Sequence, residues 1–132
     1  MKALLSIKPQ FVEEIVAGNK LYEYRKKIFK KDVDTVVIYS SKPVGRIIGE
    51  FLIDEILSDE PSSLWDETSK YSGISKDLFF EYFRGRKDAY AIKIKNLTLY
   101  PKQIDPKEIM DNFTAPQSYM YLDDDVLKVC IG

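Results

Sequence analysis

The chain contains no histidine, and this absence removes much catalytic chemistry. A Ser-His-Asp triad, a Cys-His dyad, a histidine general base and a Cys/His zinc site are all excluded. Any catalysis must therefore use carboxylates, lysine, tyrosine, hydroxyl groups or bound water. The run DDD at residues 123–125 lacks the spacing of a calcium loop, so we interpret it as a solvated turn. We expect no bound metal and no cofactor.

Cysteine and long apolar runs are also scarce. Cys130 is the single cysteine, so an intramolecular disulfide cannot form, which fits a reducing compartment. We expect Cys130 to be an ordinary strand or tail residue. No stretch approaches the ~20 apolar residues of a membrane span, and the N-terminal MKALLSIKPQ lacks the apolar region of a signal peptide. The sequence therefore predicts a cytoplasmic protein that does not contact membranes.

The chain also lacks a strong charge of either sign. Its 20 basic and 21 acidic residues give a net charge of −1. Proteins that bind bulk polyanions are usually basic, so any contact with nucleic acid must use a local basic patch or pocket. The length of 132 residues and the 45% hydrophobic content fit one packed domain, predicted to span residues 1–132.

Hydrophobic periodicity predicts more strands than helices. The predicted strands cover residues 3–7, 21–26, 35–41, 44–57, 89–95, 119–122 and 126–131, and the predicted helical segments cover 9–18, 61–71, 75–85 and 105–110. Gly49, inside the longest predicted strand, indicates a bulge or a close backbone approach. Because helices and strands do not alternate strictly, we predict an α+β, mainly β fold, a mixed or mostly antiparallel β-barrel with helical insertions.

The stretch AGNKLYEYRKK, residues 17–27, sets Lys20, Glu23 and Arg25 among large apolar side chains. The period of a strand places Glu23 and Arg25 on one face. One interpretation is a solvated edge, where an ion pair contributes less than ~1 kcal/mol. The other is a cleft wall, in which Arg25 holds a phosphate or carbonyl, Glu23 accepts from a base amine or ribose hydroxyl, and Lys20 adds a positive charge.

Other polar residues are candidates for the same cleft because they lie near strand ends or in polar loops. The candidate ligand-binding residues are Ser6, Lys8, Tyr39, Ser40, Gln117 and Ser118. Glu50, flanked by apolar residues, is either a charge at the barrel rim or a desolvated carboxylate that acts as a base. Tyr119 and Tyr121 either stack on a base or belong to the core. The basic residues of 26–31 and 84–87 form either a phosphate track or two solvated loops.

The spacing Gly18-x-Lys20-x-x-Glu23-x-Arg25 resembles the G-x-K-x-x-E-x-R signature of the ASCH domain, a branch of the PUA-like superfamily. Three later stretches are similar to family elements: GEF at residues 49–51, AYAIKIKN at 89–96 and APQSY at 115–119. The resemblance covers nearly the whole chain. It implies a PUA-like β-barrel whose cleft, in related families, takes a nucleotide or a base in RNA.

The function implied by the resemblance is RNA or nucleotide binding, linked to transcription or translation. One branch of the family resembles an amidohydrolase acting on acetylated cytidine, in which a Lys and a Thr three residues later take part. Here Lys20 matches that Lys, but Glu23 occupies the Thr position. The alternatives are therefore a hydrolase for a modified nucleoside or a ribonuclease, with Lys20 activating the nucleophile and Glu23 or Glu50 as base, and a protein-interaction barrel.

Overall fold

A computed structural model describes residues 1–127 of the chain. Cys130 and most of the strand predicted at residues 126–131 lie outside this range. Val126 and Leu127, the first residues of that predicted strand, lie in a turn in which the Val126 N–H donates to the Asp123 carbonyl at 3.1 Å.

The secondary structure follows the predicted order. The elements are β1 (Lys2–Ile7), α1 (Pro9–Ala17), β2 (Tyr22–Arg25), β3 (Thr35–Ser40), β4 (Arg46–Asp59), α2 (Pro61–Thr68), α3 (Lys76–Tyr82), β5 (Ala89–Ile104) and β6 (Met120–Leu122), with 3₁₀ turns at Ser69–Tyr71 and Pro106–Glu108. β5 continues well beyond the predicted end at residue 95, because it pairs along nearly the whole length of β4. Across residues 1–127, no helix has both the length and the apolar character needed to cross a membrane.

The strands form one sheet of six strands in the order β2-β5-β4-β3-β1-β6. β1 and β3 run parallel, and the other neighbours are antiparallel. The prediction of a mainly β fold with helical insertions is confirmed, but the predicted barrel is wrong. Closure would require β2 to pair with β6, and these strands lie at opposite edges with only 4 and 3 residues.

Two hydrophobic clusters lie on the two faces of the sheet, because alternate residues of β1 and β3 point to opposite sides. Leu5 and Val36 pack with α1 on one face, whereas Leu4 and Val37 pack with the segment after β5 on the other. A third cluster, built around Phe79, packs α2 and α3 against β2 and the start of β5. α3 is thereby held beside β2.

Gly49, in β4, pairs with Ile38 of β3 and with Leu99 of β5. The pairing register shifts near this residue on both of its neighbouring strands. A Cβ atom at Gly49 would lie 2.4 Å from the Thr98 carbonyl oxygen. The prediction of a bulge or close backbone approach at Gly49 is therefore confirmed.

We expect Gly49→Ala to lower the free energy of unfolding by about 1–3 kcal/mol, because the methyl group would displace the backbone of β5. Urea denaturation measures the change. Thr98→Ala is the control, since the Thr98 side chain is exposed and its carbonyl is kept. Equal midpoints for the two variants would contradict the close approach.

Candidate functional site

A cleft of about 320 Å³ opens between the end of β1, strand β2 and helix α3. Five of the predicted site residues line it: Ser6, Lys8, Lys20, Glu23 and Arg25. Helix α3 contributes Leu78, Glu81 and Tyr82, and the other lining residues are Ile7, Phe11, Tyr24 and Ile74. The sequence patterns did not predict this contribution of α3.

The turn after α1 brings Lys20 into the cleft. Gly18 ends the helix with φ = 84°, a conformation that glycine adopts without steric cost. The chain then turns at once, and the Lys20 N–H bonds back to the Glu14 carbonyl at 3.1 Å. On its other side, Lys20 forms an isolated β-bridge with Ser72, and a Cβ atom on Gly73 would lie 2.4 Å from Lys20 Cβ. The Lys20 backbone is therefore enclosed from both sides.

Lys20, Glu23 and Arg25 form one buried charged cluster. Their exposed fractions are 2%, 6% and 9%. Glu23 Oε2 accepts from Arg25 Nε at 3.0 Å and lies 2.9 Å from Arg25 Nη2, and Glu23 Oε1 lies 3.8 Å from Lys20 Nζ. One carboxylate is thus shared by two cations, which leaves the cluster with one excess positive charge when Lys20 is protonated.

The Lys20 amine lies in an apolar, aromatic environment. Nζ donates to the Ser72 carbonyl at 3.0 Å and lies 4.7 Å from the centre of the Tyr24 ring and 5.6 Å from that of Phe11. Burial lowers the pKa of Lys20, with Glu23 opposing the shift and Arg25 adding to it. The cleft therefore contains an amine that loses its proton more easily than an ordinary lysine.

Arg25 connects segments that are not neighbours in the sheet. Its Nη2 donates to the Ser6 carbonyl at 2.9 Å, and its Nη1 donates to the Ser118 carbonyl at 3.3 Å. Together with the contact to Glu23, these bonds use most of the guanidinium donors. One interpretation of the sequence is that Arg25 holds a phosphate or carbonyl of a ligand, and it stays a prediction. In the structure, its guanidinium joins β2 to the end of β1 and to the APQSY loop at residues 115–119.

The predicted basic track borders the cleft at α3. The Tyr82 ring lies 4.6 Å from Lys26 Nζ, and Arg86 Nη2 donates to the Lys26 carbonyl at 2.8 Å. The loop at residues 26–31 and the loop at 84–87 are therefore adjacent. Burial raises the pKa of Tyr82, so its phenol keeps its proton well above neutral pH.

The other candidate residues lie outside the cleft. Tyr39 packs against Phe113 with ring centres 5.1 Å apart and lines a second groove, and Ser40 is buried. The Gln117 side chain is exposed, and Ser118 contacts Arg25 through its backbone carbonyl. Side chains alternate between the two faces along β3, so the Tyr39 side chain points to the sheet face opposite α1. This explains why Tyr39 does not line the cleft.

Glu50 lies in a separate ion-paired cluster. Its Oε1 accepts from Lys2 Nζ at 3.0 Å and from the Tyr100 hydroxyl at 2.7 Å. Burial, and then this bond to Glu50, raises the pKa of Tyr100. Glu50 does not line the cleft, because β5 separates its strand β4 from β2 and because its side chain is bound by Lys2 and Tyr100. A role as base in the cleft is therefore not supported by its position.

Tyr119 and Tyr121 support the loop at residues 26–31. The Tyr119 ring contacts the Phe29 and Tyr121 rings edge-on, with centres 5.1 and 5.2 Å apart. The Tyr121 hydroxyl accepts from the backbone N–H groups of Lys30 and Lys31 at 3.0 and 3.1 Å. These aromatic residues thus hold one basic loop in place, and their half-buried rings leave part of each surface open.

Comparison with known proteins gives consistent matches. The sequence model of the ASCH domain family matches residues 5–110. A protein of Zymomonas mobilis named ASCH domain-containing ribonuclease is 30% identical over 124 residues, which are 92% of this chain and 84% of that protein. The crystal structure of ASCH from Zymomonas mobilis superimposes with a TM-score of 0.90 at 27% identity, covering 98% of this chain and 93% of that chain. The chain is also 32% identical over 89 residues to part of the large ribosomal subunit protein uL22 of Ureaplasma parvum. This match covers 66% of this chain and 28% of that protein.

We expect Arg25→Ala to lower the free energy of unfolding by roughly 3 kcal/mol or more, because it removes a buried partner of Glu23 and two contacts to backbone carbonyls. Urea denaturation measures the loss. Arg84→Ala is the control, since Arg84 pairs with Glu81 on the surface, where such pairs contribute less than ~1 kcal/mol. If both variants unfold at the same urea concentration, Arg25 does not hold the site together.

Proposed function

The chain belongs to the ASCH domain family, and from this membership and the geometry of its cleft we propose that it binds single-stranded RNA and cleaves it. The observation that carries the proposal is the buried cluster of Lys20, Glu23 and Arg25 in the wall of a nucleotide-sized cleft. The name of the Zymomonas mobilis relative, an ASCH domain-containing ribonuclease, supports the choice of RNA as substrate.

The cleft has the composition that a nucleotide requires. Its volume of about 320 Å³ lies within the usual range of small-ligand pockets, which starts near ~300 Å³. Phe11, Leu78 and Tyr82 offer apolar and aromatic surface for a base. While Lys20 is protonated, the excess positive charge of the cluster attracts a phosphate into a site that is largely shielded from water.

The basic loops extend the positive surface away from the cleft. Lys26 and Arg86 join the two loops next to Tyr82, and the other basic residues of these loops are Lys27, Lys30, Lys31, Arg84 and Lys87. Lysine and arginine side chains beside a pocket bind the phosphates that continue from a bound nucleotide. A local basic surface of this kind is compatible with the net charge of −1 for the whole chain.

The chain can supply a general base and a general acid without histidine. In RNA, the 2′ oxygen forms a bond to the adjacent phosphorus while the bond from phosphorus to the 5′ oxygen breaks. We assign Lys20, whose pKa is lowered, as the base that takes the proton of the 2′ hydroxyl. Tyr82, whose pKa is raised, gives a proton to the departing 5′ oxygen. The product is a 2′,3′-cyclic phosphate, and DNA is not cleaved because it lacks the 2′ hydroxyl.

We expect the cleavage rate to rise with pH and to level off below the ordinary pKa of lysine, because the base must be deprotonated and burial lowers its pKa. The rate falls only above the ordinary pKa of tyrosine, where the Tyr82 phenol ionises. Lys20→Met removes the base and abolishes the rise, with a loss of about 100-fold or more in rate. A pH–rate profile on a single-stranded RNA oligonucleotide measures this effect.

Lys95→Met is the control for that experiment, because Lys95 is exposed, pairs with Asp54 and does not line the cleft. RNA binding by Lys20→Met, measured by fluorescence anisotropy, separates loss of chemistry from loss of fold. Cleavage by Lys20→Met at the wild-type rate would remove Lys20 from the mechanism.

We expect no hydrolysis of acetylated cytidine. The amidohydrolase branch of the family has a threonine where this chain has Glu23, and both Glu23 oxygens already face cations. Incubation of the protein with the nucleoside, followed by mass spectrometry, measures the outcome. Release of acetate at a rate that Lys20→Met reduces would favour this second function over RNA cleavage.

Three further proposals rest on the sequence. They are a single domain spanning residues 1–132, a cytoplasmic location, and a link to transcription or translation.

A further inference from the structure

A second groove, of about 1160 Å³, lies between the turn that follows β3 and the segment that follows β5. Its walls carry three basic side chains, Lys42, Arg46 and Lys107, and one carboxylate, Asp105. Arg46 Nη2 lies 4.0 Å from Asp105 Oδ2. In residues 1–127, the amines of Lys42 and Lys107 have no hydrogen-bonding or ion-pair partner. The groove therefore has two uncompensated positive charges.

Tyr39 gives the groove a polar floor. Only 4% of this residue is exposed, and its hydroxyl has no hydrogen-bond partner within residues 1–127. In the same range, every fully buried side-chain nitrogen or oxygen atom has a partner. The Tyr39 hydroxyl oxygen therefore reaches the open space of the groove. Gly45 faces it, and even a Cβ atom there would lie 3.7 Å from that oxygen.

The groove and the cleft share two boundaries. β1 and β3 are parallel, so their carboxyl ends lie at the same end of the sheet. Ile7, at the end of β1, lines the cleft, and its carbonyl accepts from the N–H of Ser41, which lines the groove, at 2.9 Å. On the other side, Ala115 lines the groove, and three residues later the Ser118 carbonyl bonds to Arg25.

We propose that the groove binds the RNA segment adjoining the nucleotide in the cleft, with Lys42 and Lys107 contacting its phosphates and the Tyr39 hydroxyl donating to the same strand. The proposal rests on the proposed function of the cleft. An RNA strand is favoured over an acidic protein because the groove adjoins a nucleotide-sized cleft and because its two lysines stand beside the half-buried ring of Phe113, on which a base can stack. The substrate of this protein is therefore an oligonucleotide, and a mononucleotide uses only part of its binding surface.

The test compares Lys42→Ala/Lys107→Ala with Lys93→Ala/Lys95→Ala, a control that removes the same charge from a pair facing Asp54 outside both cavities. Affinities for eight-residue 2′-O-methyl oligouridine, which lacks the attacking 2′ hydroxyl and is not cleaved, and for uridine 3′-monophosphate are measured over a range of salt. We expect the groove variant to lose about tenfold in affinity for the oligonucleotide and nothing for the mononucleotide. The slope of the logarithm of the association constant against the logarithm of the salt concentration becomes smaller in magnitude by about 1.4. This corresponds to ~0.7 for each of the two phosphates that a lysine no longer neutralises.

The remaining outcomes each overturn the proposal. If the groove variant binds the oligonucleotide as the control does, the groove is not used, while the function of the cleft stands. An equal loss for the mononucleotide means that the lysines act on the cleft itself. Competition by an eight-residue oligoglutamate as strong as that by oligouridine means that the groove takes an acidic peptide. If the wild-type protein binds neither nucleotide probe, the proposed function fails together with the groove.

Discussion

The Glu23 carboxylate, held between Arg25 and Lys20, is the interaction on which the cleft depends. A buried carboxylate is costly to desolvate unless cations and hydrogen bonds compensate for the lost water. Both compensating groups also bond elsewhere, Arg25 to the end of β1 and to the APQSY loop, and Lys20 to Ser72. The three charged side chains thereby connect the edge strand β2 to the end of β1, to the APQSY loop and to Ser72. None of these segments pairs with β2 in the sheet.

Under the proposed function, the residues that hold this site together also carry out its chemistry. Burial stabilises the neutral form of the Lys20 amine and of the Tyr82 phenol, so their pKa values move in opposite directions. Two groups shifted apart in this way can exchange protons with a substrate in a chain that has no histidine. Under the proposed function, Arg25 does not need to touch the substrate, because its bonds fix the loop and the Glu23 carboxylate beside the cleft.

Local patterns predicted most elements, the close approach at Gly49 and the shared face of Glu23 and Arg25. They predicted less about contacts between distant segments. The length of β5 is set by pairing with β4, and open sheet edges replace the expected barrel because β2 and β6 are short and far apart. In the sequence, Glu50 is as good a candidate for the site as Glu23. Its partners Lys2 and Tyr100 are remote in sequence, so local patterns could not show that they bind it. Tyr82 carries no local signal, since its position depends on how α3 packs against β2.

The acceptors that bind Arg25 and Lys20 at positions 6, 72 and 118 are all main-chain carbonyl oxygens. Every amino acid provides such an oxygen, so a substitution at position 6 or 118 leaves the acceptor in place, whereas one at position 72 also removes the bonds of the Ser72 hydroxyl to Ile74. The donors, Lys20 and Arg25, cannot be exchanged in this way. Even Lys and Arg do not replace each other, because an amine and a planar guanidinium differ in shape and in number of N–H groups. Variation among related chains is therefore expected at acceptor positions 6 and 118, where it can alter the chemistry of the cleft surface while the framework of the site remains intact.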